Sequence, residues 1–280
     1  MTNPPFSVCM ATHGRVAPLK HTLESLFDRL CPDEVVVCID ACDQTRMILP
    51  DLVEKFPKVQ WLTTERQIGP GRAKDLAIRK ARNELCLIID DDIEFIDVAG
   101  LSETIEALDE YALVQSGIYD GSGTRRRSFE YPSRLKWKRH RFEISYFVGA
   151  IHWLRRSAFL RVGGYGDFEG YGFEELALSI RLLREDERML YLDSVRIKHF
   201  RSPAGRRDPR AVSLRMMENR FIIAEKFYPA PLALSQKSYW CLRHFLAFRE
   251  VQWPKITAQA EKLTWVEIIR RPRLAARMLF

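Results

Sequence analysis

No uninterrupted hydrophobic stretch of this chain approaches the roughly 20 residues that a membrane-crossing helix needs. A secretory leader is also missing from view, because Met1 to Pro5 lacks a charged segment followed by a long apolar run. Cys9, Cys31, Cys38, Cys42, Cys86 and Cys241 include no paired C-x-x-C spacing, so neither zinc nor a disulfide framework is indicated. Cys9, Cys38 and Cys86 fall inside apolar runs, where a reduced thiol behaves as a small hydrophobe. A cytoplasmic protein is therefore expected. Acid is the scarcer charge, with 37 Asp and Glu against 44 Lys and Arg and a net charge of +7. That excess predicts an anionic partner without choosing between nucleotide, lipid headgroup and nucleic acid. The remainder is ordinary for a globular chain: 280 residues, 46% hydrophobic and 29% charged, enough for one large core or one core with a small appendage.

Short apolar runs alternate with helical patterns through the first half. Phe6 to Thr12, Glu34 to Asp40, Lys58 to Thr64 and Leu85 to Asp90 read as strands. Pro18 to Leu30 reads as a helix with Leu19, Leu23, Leu26, Phe27 and Leu30 on one face. Pro70 to Asn83 reads as another, opened by Gly69, Pro70 and Gly71. This β-α-β-α order predicts a parallel sheet with right-handed crossovers, a nucleotide-binding type of α/β fold. The middle is less regular. Gly121 to Arg141 holds Arg125, Arg126, Arg127, Arg134, Lys136, Lys138, Arg139 and Arg141 without a clear period, and reads as a loop. Ile144 to Trp153 reads as a strand, followed by a short helix and the turn Gly163-Gly164-Tyr165-Gly166. Glu174 to Glu185 is then a helix and Met189 to Phe200 a strand, after which the pattern is helical with no obvious strand. A boundary near residue 200 is expected.

The most telling run is Leu85 to Asp92, an apolar strand that ends in Asp90, Asp91 and Asp92. In open α/β sheets the ligand crevice lies beyond the carboxyl ends of the strands. Three carboxylates crowded there raise one another's pKa unless a cation offsets them. Asp90 and Asp92 share a side if the strand continues, because side chains alternate. The simplest chemistry is a hard divalent ion held with a phosphorylated ligand. Taken alone, the run is explained as well by a solvated acidic turn. Glu174 and Glu175 likewise open a helix, where the backbone dipole favours acids without any function.

Five segments, in order, resemble family 2 glycosyltransferases of the GT-A fold, over roughly residues 5 to 200. "SVCMATHGR" looks like that family's first strand and nucleotide-binding turn, and "EVVVCID" like its second strand. "IGPGRAKDLAIRKARNELCLIIDDDIEF" looks like the helix and strand leading to its D-x-D motif. "FLRVGGYGDFEGYGFEELALSIRL" looks like its glycine-aromatic turn and paired acidic motif, and "VRIKHF" supplies a histidine. The resemblance implies a Rossmann-like, mixed and mostly parallel sheet flanked by helices over 1–200; the helical pattern that follows reads as an extension over 201–280 for acceptor or membrane-surface contacts. It implies that Thr12, Arg15 and Asp40 line the base and ribose pocket. Asp75, Asp90, Asp91 and Gly149 join the donor-binding set, and Trp153 stacks on a sugar face. Asp92, Asp90 and His199 would hold a divalent metal, manganese or magnesium. Glu175 falls where the family has its general base, with Glu174 as the fallback. Departures are visible: His13 and Gly14 replace an aromatic and an asparagine, Asp75 replaces asparagine, and the acidic pair is Glu-Glu rather than Glu-Asp.

The activity implied is transfer of a sugar from a nucleotide-diphosphate donor, a UDP-sugar first, to a saccharide or lipid-linked saccharide, with inversion. Polysaccharide biosynthesis is the matching process. Two alternatives belong to other classes. A sugar-phosphate nucleotidyltransferase needs a glycine-rich phosphate loop after the first strand, which "ATHGRVAP" does not supply. A basic binding module for anionic membrane or nucleic acid fits the charge, although clustered carboxylates argue against nucleic acid at that face. Arg125 to Arg141 suits a lid over the donor phosphates, a contact to an anionic acceptor such as a lipid-linked phosphate, or, at least as well, a solvated loop. Trp265, Ile268, Ile269 and Phe280 beside Arg270, Arg271, Arg273 and Arg277 suit either an amphipathic tail, peripheral at the inner face of a membrane, or core packing.

Overall fold

The computed structural model describes residues 4–120, 122–124, 131–133, 136, 139–166, 172–200, 208–256 and 261–274. The first four strands lie where the apolar runs place them: β1 (Phe6–Thr12), β2 (Glu34–Ile39), β3 (Val59–Thr63) and β4 (Leu85–Ile89). They pair in parallel in the order β3-β2-β1-β4, and every residue of β1 and β2 is buried, as expected of strands covered on both faces. Helices α1 (Val16–Arg29) and α4 (Pro70–Lys80) make crossovers, with the short helices α2 (Asp43–Met47) and α3 (Leu49–Lys55) before β3. The carboxyl ends of these strands therefore open on one crevice, where Thr12 ends its strand and Asp40 and Asp90 follow theirs.

The second half of the sheet is mixed. Beyond β4 come β8 (Ile151–Arg155), β6 (Leu113–Tyr119), β9 (Met189–His199) and β5 (Ile93–Asp97), with β7 (Arg141–Ile144) on β9. Strand β8 is antiparallel to β4, and β6 and β9 are parallel to each other. The sequence pattern did not single out β5, β6 or α5 (Leu101–Ala107). The run expected as one strand from Ile144 to Trp153 is two, because residues 145–150 leave the sheet between β7 and β8. Trp153 is also not at a sugar site. Alternation in β8 buries it completely against Phe6, with the ring centroids 5.2 Å apart.

Two apolar layers sandwich the sheet. One gathers α1 and β5, and the other α4, α6 (Arg156–Arg161) and α7 (Glu174–Arg184). The second layer runs on into α8 (Pro209–Phe227) through Ile223, Ala224 and Phe227, and takes in Ala233 of α9 (Ala230–Phe248) and Ile268 of α10 (Trp265–Arg270). Ile268 is thus a core residue, while Trp265 and Ile269 are exposed. Arg125, Arg126, Arg127, Arg134, Lys138, Arg277 and Phe280 lie outside the described residues.

Candidate active site

Strand register assembles the cluster beyond β4. Strand β5 runs antiparallel to β9 with Ile93 opposite His199, and the Phe200 amide donates to the Asp92 carbonyl at 3.0 Å. This pairing joins two segments a hundred residues apart and sets His199 beside the aspartates. His199 Nε2 lies 3.1 Å from Asp92 Oδ1 and 3.7 Å from Asp90 Oδ2. One ligand atom from each of Asp90, Asp92 and His199 falls within 4.8 Å of the others. Asp92 is buried and Asp90 is partly exposed, so the group has one open side. Two carboxylates and an imidazole form an oxygen-nitrogen donor set of the kind that suits manganese or magnesium.

Two cations already serve the aspartates. Arg15 Nη1 bridges Asp91 Oδ1 at 2.9 Å and Asp92 Oδ2 at 3.1 Å. Thr12 Oγ1 donates to Asp91 Oδ2 at 2.6 Å. Burial still lifts the Asp91 carboxyl to about 6, against Arg15 and Thr12, which pull it down. Lys74 is the second cation, and sequence reasoning did not find it. Its Nζ pairs with Asp90 Oδ1 and donates to the Gly149 carbonyl at 3.0 Å. Burial works against the Lys74 charge, yet Asp90, with Glu175 and Glu174 nearby, holds its pKa above the ordinary value. A signal existed: Lys74 stands among Gly71, Ala73, Ala77 and Ile78 on the buried face of α4, where a lysine is out of place unless paired.

Glu174 and Glu175 open α7 close enough to Lys74 to act on its charge. Their approach depends on glycine. A Cβ at Gly149 would sit 2.0 Å from Glu175 Oε1, and one at Gly71 would sit 2.9 Å from Glu174 Cβ and Cγ. The loop between β7 and β8 and the start of α4 are thereby closed onto the two glutamates. Burial, then Glu174, pushes the Glu175 carboxyl up to about 8, with Lys74 opposing. Glu174 is buried with Oε2 lacking a hydrogen-bond partner, and burial raises its pKa as well. Beneath them, His152 Nε2 lies 2.8 Å from the Tyr165 hydroxyl, and burial and Lys74 keep the imidazole neutral.

The remaining expected residues are tied into the protein. Asp40 Oδ1 accepts from the Ile68 amide at 2.8 Å and Thr64 Oγ1 at 3.1 Å, and Oδ2 accepts from the Gly69 amide at 2.9 Å. Asp40 thus fixes the turn that starts α4. Asp75 accepts from the Tyr165 amide at 3.1 Å and pairs with Arg79, joining α4 to the 163–166 turn. It lines an open cleft of about 590 Å³ with Arg66, Arg72 and Arg79, on the outer face of α4. The structure therefore brings together Asp90, Asp91, Asp92, His199, Thr12, Arg15, Gly149, Glu174 and Glu175, while Asp40 and Asp75 brace loops at the margin.

Comparison with solved structures agrees with this architecture. The fold is similar to GalNAc-T7 with UDP, GalNAc and Mn2+ (TM-score 0.61, 15% identity), covering 87% of this chain and 55% of that one. This chain thus spans little more than half the length of GalNAc-T7. It is similar to the mannosyltransferase PcManGT from Pyrobaculum calidifontis in complex with GDP-Man and Mn2+ (TM-score 0.61, 16% identity), covering 99% and 74%. A third similar structure is S. aureus TarS 1-349 with UDP-GlcNAc (TM-score 0.56, 16% identity), covering 88% and 73%. At such identities the likeness speaks for the fold, a GT-A arrangement. No curated protein sequence matches significantly. The profile of glycosyl transferase family 2 matches residues 7–163, more than half of the chain. This protein belongs to glycosyl transferase family 2.

Proposed function

We propose that this protein transfers a sugar from a nucleotide-diphosphate donor to a hydroxyl of a saccharide or lipid-linked saccharide, with inversion and with a divalent metal. The observation that carries the reading is what meets at Lys74: its Nζ pairs with Asp90 of the Asp90–Asp92–His199 donor set and donates to the carbonyl of Gly149, against which Glu175 Oε1 packs. Asp90, Asp92 and His199 would hold manganese or magnesium, which supplies Lewis-acid assistance to a departing diphosphate. The similar structures carry UDP with GalNAc, GDP-Man and UDP-GlcNAc, two of them with Mn2+, which supports a nucleotide-sugar donor, with UDP first.

Glu175 is the general base in this reading. Its Oε1 takes the acceptor hydroxyl proton as that oxygen bonds to the anomeric carbon, and the bond from that carbon to the diphosphate breaks in the same displacement. A carboxyl raised to about 8 holds a proton more strongly than an ordinary one. It accepts the hydroxyl proton only from its ionised form, so transfer should rise with pH through that range. Lys74 holds Asp90 in place and keeps Glu175 from rising further. Asp40 and Asp75 shape the donor pocket through the loops they brace, and Thr12 and Arg15 do so through Asp91. All of these residues precede residue 200, which supports reading 1–200 as catalytic and 201–280 as an extension. Six unpaired cysteines support a reducing, cytoplasmic setting.

Thermal shift with UDP-, GDP-, TDP- and CMP-sugars, with and without manganese, tests this function. A donor at about a hundredfold over its Kd stabilises by ~2.7 kcal/mol. One nucleotide class should raise the Tm by several degrees only when manganese is present. Absence of any manganese-dependent shift across the panel would remove the metal-and-donor reading.

A further inference from the structure

Helix α9 is apolar on both sides, but only one side is covered. Ala233, Trp240 and His244 face inward, with Trp240 edge-on to Phe173 at 5.2 Å. The opposite side presents Leu234 (59% exposed), Tyr239 (55%), Leu242 (55%) and Leu246 (59%), with Ser235 and Ser238 between them. At 100° per residue these positions fall on one half of the helix, centred on Leu242. The helix continues into a segment that exposes Val251 (83%) and Trp253 (52%). A stripe of this kind is more apolar than a solvated helix face needs to be.

Charge identifies what covers it. No Asp or Glu occurs anywhere in α9; Arg243 flanks the exposed face, over the Trp240 ring, and exposed Arg249 caps the end of the helix. The nearest acids in the sequence, Glu225 and Glu250, are held by Lys237 and Arg210. A second copy packed face to face would set one arginine margin against another with no acid on the face to relieve it. An anionic lipid surface answers both features: its headgroups accept the arginines, and its acyl boundary accepts the leucines, with Tyr239 and Trp253 at the interface. No helix of the described residues is long and apolar enough to cross a membrane, so the contact is one of lying on the bilayer. We propose that the outer face of α9 docks this protein on an anionic lipid bilayer. This surface differs from the tail singled out in the sequence, and the inference stands independently of the transfer chemistry.

The test is sedimentation of the full chain with vesicles of phosphatidylcholine alone and of phosphatidylcholine with phosphatidylglycerol, at low and high salt. The wild type should bind the phosphatidylglycerol vesicles at least about tenfold more tightly, and salt should weaken that preference. The double variant Leu242→Glu, Leu246→Glu should lose the binding while keeping the wild-type Tm and manganese-dependent donor binding in solution. Arg243→Gln with Arg249→Gln, which leaves the leucines in place, should abolish the preference for the anionic vesicles. Equal or absent binding to the two vesicles, or unchanged binding by either double variant, would overturn the proposal. So would a wild-type dimer in light scattering that Leu242→Glu dissociates, which would give the face to a second copy.

Discussion

The acids around the crevice fall into two groups that composition cannot distinguish. Asp40, Asp75 and Asp91 each satisfy both carboxylate oxygens with protein donors, from backbone amides, Thr12, Arg15, Thr64 or Arg79. Asp90, Asp92, Glu174 and Glu175 differ: Asp90 meets Lys74 and His199, Asp92 meets Arg15 and His199, Glu174 Oε2 has no hydrogen-bond partner, and Glu175 is pushed up to about 8. A buried polar atom without a partner costs about 1–3 kcal/mol, a cost that a bound water, ion or substrate group relieves. The first group holds loops in place; the second is the group a metal, donor and acceptor would complete.

The largest effect should come from the second group. Glu175→Gln removes the proton acceptor and should cut transfer by about 10²–10⁴ while leaving donor affinity within about twofold; near-normal turnover in a steady-state assay would move the base to Glu174. Lys74→Met should come next. Removing one partner of a buried pair costs about 3–5 kcal/mol, read as a lower urea midpoint. It should also move the acid limb of the kcat/KM profile above the position it has in wild type, because the cation opposing Glu175 is gone; an unmoved limb would separate Lys74 from the base. Gly149→Ala places a methyl where Glu175 Oε1 sits and should lower turnover by about one to two orders of magnitude through misplacement of the carboxylate, with donor binding retained.

Stability against pH provides a smaller, independent contrast. A carboxyl raised from 4.5 to about 8 contributes stability at low pH that is lost as pH climbs through that window. Metal-free Glu175→Gln should therefore melt above wild type at about pH 9 and match it near pH 4. The smallest effect should be at the braced acids: Asp75→Asn keeps an acceptor for the Tyr165 amide and loses only a partly exposed ion pair, for about 1 kcal/mol or less and no change in donor affinity. A large loss of donor affinity there would break the division between the two groups.

Much of the parallel half was legible because its signals are local. The runs at β1, β2 and β4 are nearly continuous and apolar, β3 is a short stretch of strand-forming residues beside them, and α4 announces itself with Gly69 and Pro70. Strands β5 and β6 were not, since Ile93–Asp97 interleaves acids with apolar residues and gains its place only by pairing with β9, far along the chain. The break between β7 and β8 hides inside an apolar stretch, because the backbone leaves the sheet there to present Gly149 to Lys74 and Glu175. The aspartates, Glu175 and His199 were visible through the resemblance to a family. Lys74 was not, because a lysine in a helix ordinarily reads as solvated.

Titration calorimetry of manganese into wild type and Asp92→Ala, in the presence of the nucleotide that shifts the Tm, tests the account most directly. If Asp90, Asp92 and His199 form the metal site, the wild type binds one equivalent and the variant binds at least about a hundredfold more weakly. Equal affinity in the two proteins would contradict the assignment and leave the crowded carboxylates as an acidic cluster neutralised by Arg15 and Lys74 alone.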